Sequence, residues 1–205
     1  MTLHRIFKAV SGVVLCLALS ATAASAETIF NKSVRYYSIG GRTAAEVDRE
    51  LSRNGPLARS TGARHPGTTQ IRFGGEATYR HENGRCRVAD VKVTLTTNIT
   101  LPRWKNRRQA DRGMALIWDT LSADIKRHEE RHAEIARNHA RILEAALKAL
   151  RPARDCATLR QRTAEVTDKA IAAHDAEQAR FDRVEALNFE KRMLRLMRHR
   201  TGRPE

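Results

Sequence analysis

Residues 128 to 132 read His-Glu-Glu-Arg-His, so His128, Glu129 and His132 spell HExxH. Two histidines four apart on a helix point the same way, one turn apart, and can hold one metal ion between them. The glutamate directly after the first histidine lies a hundred degrees around the helix. From there it reaches a water on the ion rather than the ion itself, which is the place of a general base in zinc-assisted amide hydrolysis. A catalytic zinc needs a third protein ligand and keeps its fourth position for water or substrate. Glu129 is therefore the candidate catalytic base, and His128 and His132 are candidate ligands of Zn2+.

The element that carries this motif is a long helix over residues 107–150. Met114, Ile117, Leu121, Ile125, His128, His132, Ile135, His139, Ile142 and Ala146 recur at spacings of three and four, a single helical stripe that includes three histidines. Pro152 ends it, and a second helix is expected over 157–197, with Leu159, Thr163, Val166, Ala170, His174, Glu177, Phe181 and Val184 facing inward. His139 shares the first stripe but stands about 10 Å beyond His132 on a straight helix, so a core or outer role suits it better than ligation. Glu134 points to another face. If the chain reverses near Pro152, residue 128 lies level with about 177 and residue 132 with about 173. That places the third ligand on the second helix, with Glu177 favoured, His174 beside it and Asp175 off the stripe.

Residues 27–105 have a different character. Segments 33–39, 69–80 and 84–102 have strand composition, and the last alternates through Val88, Val91, Val93 and Leu95 with threonines between. Glu82-Asn83-Gly84 supplies turn chemistry for a hairpin between the second and third segments. One short helix follows Thr43, whose pairing with Glu46 is a capping box, and stops at Gly55-Pro56. The fold expected is α+β: a small antiparallel sheet with one short helix, followed by a long antiparallel helical hairpin carrying HExxH.

The first 26 residues place two basic side chains, Arg5 and Lys8, before an apolar run that ends in Ala24-Ser25-Ala26. This is the pattern of a cleaved secretory signal, too short and too rich in Ala and Ser for a membrane span. A periplasmic or secreted protein of about 180 residues follows, one domain over 27–189 with a basic tail over 190–205. In an oxidising compartment its two remaining cysteines, Cys86 and Cys156, are expected to pair, since neither lies in a CxxC spacing. The formal net charge of +15 draws such a chain toward anionic envelope surfaces. No basic stretch carries the interleaved aromatic rings of a single-strand binder, so there is no specific nucleic-acid signal.

The chain also resembles a bacterial family of unknown function whose members are described as predicted secreted zinc-dependent proteases. The likeness runs from VRYYSIGGRTAAEVDRELSRNGP at 34–56 through GGEATYR, Cys86 and VKVTLTTNITLPRW, with Leu101, Pro102 and Trp104, to HEERHAEIA, Cys156 and HDAEQARFD. It implies zinc-ligand roles for His128 and His132 and a catalytic role for Glu129. The acidic residue that the family carries two places after the second histidine falls on Glu134. Many relatives have a YDxETxHG-like segment where this chain has HDAEQARFD, so Asp175 and Glu177 are kept and the His-Gly is not. The function expected is an exported zinc metallopeptidase acting on a peptide or protein substrate. The alternative is a non-catalytic envelope module with a structural or vestigial metal site, or a basic helical protein that binds polyanions.

Overall fold

The structure is a computed structural model that describes residues 28–57 and 62–202. The expected signal segment 1–26 lies outside the described residues. Three strands, β1 (Ile29–Ile39), β2 (Thr68–Glu82) and β3 (Arg85–Trp104), a short helix α1 (Ala44–Asn54) and two long helices, α2 (Arg112–Lys148) and α3 (Cys156–Arg200), make an α+β fold.

Local chemistry accounts for most of the element boundaries. The Thr43 side chain accepts from the Glu46 amide while Glu46 reaches back to the Thr43 amide, the reciprocal cap that starts α1. Asn83 and Gly84 both take positive φ, 49° and 74°, as a two-residue hairpin turn between β2 and β3 requires. Asp111 and Asp155 each accept an amide from the first turn of the helix they precede, α2 and α3 respectively.

The sheet is mixed rather than antiparallel, with order β1-β3-β2. β2 pairs with β3 antiparallel as the turn dictates, but β1 pairs with β3 in parallel, Val34 opposite Ile99. A hairpin turn announces itself locally, whereas a parallel pair needs a long crossover and leaves no local mark. Here the connection between the two runs through α1 and β2. β3 is the central strand and alternates as expected: Val91, Val93, Leu95, Ile99 and Leu101 are buried under α2. The other face carries Thr94, Thr96, Asn98 and Thr100, polar side chains suited to a half-wet surface.

α2 lies on the sheet through Ile125, Ala133, Ala136, Ala140, Leu143 and Leu147. Ala136 and Ala140 are fully buried, and small residues there let helix and strand approach closely. This face differs from the stripe expected from spacing. His128, His132 and His139 are rotated off it toward α3, and Ile142 is exposed. The helix thus buries two adjoining faces, an apolar one on the sheet and a histidine-bearing one against α3. At one end of the domain Trp104, closing the Leu-Pro-x-Trp element, packs with Trp118, Ile39, Val47 and Leu51, so that element is core. α3 runs to Arg200, a little past the helix end expected at 197, so most of the basic segment from 190 onward is helical, and Arg192 binds Asp124 of α2 through two hydrogen bonds of 2.9 and 3.1 Å.

The helical reversal is also displaced. Between α2 and α3 the chain runs out to the start of β3, where Ala153 exchanges two 2.9 Å backbone hydrogen bonds with Cys86. Cys86 and Cys156 form a disulfide there, over the buried Leu159. The bond closes a loop spanning 70 positions, for which chain entropy predicts roughly 4 kcal/mol. The double variant Cys86→Ser/Cys156→Ser should lose about 2–5 kcal/mol in urea unfolding. A loss below about 1 kcal/mol would show that the bridge is not a stability element.

Candidate metal centre

Helical periodicity alone brings His128 and His132 together: their Nε2 atoms are 3.0 Å apart and the rings meet edge to face. The residue α3 sets against them is Asp182. Its Oδ1 lies 3.0 Å from His132 Nε2 and 3.4 Å from His128 Nε2. These three residues are the group of His, Cys, Asp and Glu among the described residues whose ligand atoms converge closely enough to hold a metal ion.

Three electron-rich atoms so close need a positive species among them, either a proton on an imidazole or a cation. Ligands at about 2.0–2.1 Å around a tetrahedral zinc stand roughly 3.3 Å from one another. The observed separations of 3.0, 3.0 and 3.4 Å are near that value, and two imidazoles with one carboxylate are zinc donors. The residues present fit the ion, and three of them leave one tetrahedral position open. Asp182 is more than half exposed, so the cluster opens to solvent on its side.

The residues expected from the sequence as a third ligand stand elsewhere. Glu177 sits farther along the hairpin, where its Oε2 lies 2.9 Å from His139 Nε2. His174 is buried edge-on to Phe73, and its Nδ1 lies 2.9 Å from Asp175 Oδ1. None of Glu177, His174 and Asp175 joins the cluster, because residue 128 meets residue 182 and residue 132 meets residue 178. The excursion of the connecting segment to Cys86 causes that shift. Glu134 pairs with Arg131 at the surface.

Two further residues complete the surroundings. Phe181 stacks on His128 with centroids 5.0 Å apart and meets His132 edge-on at 5.1 Å, fixing both rings from the α3 side. Behind His128, Glu185 lies 3.6 Å from Nδ1 and is itself gripped by Arg127 and Arg192. Periodicity put Phe181 on the inward stripe, but no signal distinguished Asp182 or Glu185 from the many other charged residues of α3.

Glu129 occupies the sheet-facing side of α2 and is buried. Its Oε2 accepts a 2.8 Å hydrogen bond from the Thr69 hydroxyl at the start of β2. Gly67 lies flat against it: a Cβ there would come within 2.8 Å of Glu129 Oε1 and 2.9 Å of Ile125 Cγ2. Only the absent side chain leaves room for the carboxylate. Burial pushes the Glu129 carboxyl up, and the Thr69 hydroxyl and the two imidazoles pull it partly back. For Asp182 the balance is reversed. Burial would raise it, but hydrogen bonds from His128 and His132 hold it well below the usual carboxylate range. His132 is held above the ordinary histidine value: burial opposes its charge, and the bonds to Asp182 and Gln178 outweigh burial.

Compared with known protein families, residues 34–189 match the model of a family described as bacterial protein of unknown function (DUF922). No curated protein and no solved structure matches the chain.

Proposed function

The chain belongs to the bacterial family of unknown function DUF922, and from that premise and the geometry of the cluster we propose that it is an exported zinc-dependent metallopeptidase. The observation that carries this reading is the convergence of His128 Nε2, His132 Nε2 and Asp182 Oδ1 beside a buried glutamate at the HExxH position. The two imidazoles and the Asp182 carboxylate would hold Zn2+. When bound, the ion supplies a Lewis acid that polarises a peptide carbonyl and acidifies water.

The chain's own residues supply the rest. Glu129 takes a proton from the attacking water at its carboxylate and later delivers it to the leaving amine nitrogen. Thr69 orients that carboxylate, and the raised affinity for protons that burial gives it suits a group that must both accept and release one. Phe181 walls the histidine pair. β2 is an edge strand and begins beside Glu129, so its free backbone groups offer an extended peptide a place to add as a strand. A basic protein working at an anionic envelope surface agrees with the charge of +15. Among the described residues no helix is long and apolar enough to cross a membrane.

One observation favours a second reading, a non-catalytic envelope module. Asp182 satisfies both imidazoles by ion pairing alone, and no buried side-chain polar atom among the described residues lacks a partner. Elemental analysis of residues 27–205 after dialysis against a weak chelator separates the two. We expect about one zinc per chain in the wild type and almost none in His132→Ala. No zinc in the wild type, even after zinc is added, would sink the peptidase reading and leave the cluster as an ion pair.

A further inference from the structure

Outside the cluster itself, the hairpin interface holds a connected chain of polar groups. His132 Nδ1 lies 2.5 Å from Gln178 Oε1. The Gln178 Nε2 donates a 3.1 Å hydrogen bond to the His132 carbonyl and reaches His174 Nε2 at 2.8 Å. His174 Nδ1 lies 2.9 Å from Asp175 Oδ1.

The donor and acceptor roles along this chain have one consistent solution. An amide nitrogen only donates, so His174 Nε2 must accept, and the His174 proton sits on Nδ1, where the Asp175 carboxylate accepts it. An amide oxygen only accepts, so His132 must carry a proton on Nδ1. Gln178 cannot turn its amide over. The flip would set the amide oxygen 3.1 Å from the His132 carbonyl oxygen, two acceptors with no proton between them.

We propose that Gln178, locked by His174 and Asp175, is the positioning residue that keeps His132 protonated on Nδ1 and leaves its Nε2 free to bind the metal. This rests on the zinc reading above and adds to it the device that orients one ligand. Metal-bound histidines generally donate their other ring N–H to a carbonyl or carboxylate, which fixes both tautomer and ring angle. Here a side-chain amide from the facing helix fills that place. Its own orientation is held by a histidine that is buried and lies outside the metal cluster.

The test is zinc affinity by chelator competition on wild type, Gln178→Leu and Gln178→Glu, with unfolding followed by circular dichroism as the control for folding. Gln178→Leu removes the acceptor at similar size and should weaken zinc binding by about 10–100-fold. Gln178→Glu restores an acceptor for the Nδ1 proton and should recover most of that loss. In parallel, histidine side-chain 15N NMR of the zinc-loaded wild type should show His132 coordinated through Nε2, with a slowly exchanging proton on Nδ1. Equal zinc affinity in Gln178→Leu and wild type, or coordination of His132 through Nδ1, overturns the positioning role and leaves the zinc site standing. Absence of zinc binding by the wild type overturns the zinc reading and this role with it.

Discussion

Glu129→Gln should lower peptide hydrolysis by about 10²–10⁴-fold, the usual contribution of a positioned general base, while zinc content stays at the wild-type level. Glutamine matches glutamate in size, so it fits the space between Gly67, Ile125 and Thr69. Its amide oxygen still accepts from the Thr69 hydroxyl. What it loses is the ability to take a proton. Glu129 is not among the three residues whose ligand atoms converge, so the metal should be retained. Hydrolysis of a peptide library and zinc content, measured on the same preparation, check both halves. Undiminished hydrolysis would remove Glu129 from the chemistry. Loss of zinc together with activity would mean that the residue supports the site rather than acting in the reaction.

The second large effect discriminates between helix registers. Asp182→Ala is expected to weaken zinc binding well beyond the roughly 10–100-fold typical of residues that only orient a ligand, because it removes one of three donors. Glu177→Gln should leave zinc binding within a few-fold and act locally on the His139 pair, at a cost of about 1 kcal/mol or less, since Glu177 is substantially exposed. Chelator competition and urea unfolding on the two variants give the answer. The opposite ranking, with Glu177→Gln losing zinc and Asp182→Ala keeping it, would mean that the hairpin stands in the register expected from a reversal at Pro152. Comparable losses in both would point to disturbed hairpin packing rather than to a ligand.

Several features of the domain follow from short-range chemistry and were legible in the chain. The pairing of His128 with His132 needs only the helical repeat. The capping box at Thr43 and Glu46, the Asn83-Gly84 turn and the alternation of β3 involve residues within a few positions of one another. The pairing of Cys86 with Cys156 follows from the expected compartment and from their being the two cysteines beyond the expected signal segment.

What periodicity alone missed lies between elements. β1 joins β3 in parallel across more than fifty positions, and nothing in its own sequence marks the direction of its partner. A stripe of spacings three and four merged two faces of α2 that the fold separates, because a helix packed on both a sheet and a second helix buries more than a single stripe.

The choice of third ligand shows the limit best. Intrahelical geometry alone places His128, Glu129 and His132, but the partner on α3 depends on where the connecting segment docks. That segment is held at Cys86 by two backbone hydrogen bonds and a disulfide, contacts with a strand some seventy residues earlier. They decide whether Glu177 or Asp182 meets the histidines. A carboxylate one or two turns along the same helix carries the same charge. Only the tertiary structure selects between them, because register between two packed helices is set by what anchors their ends.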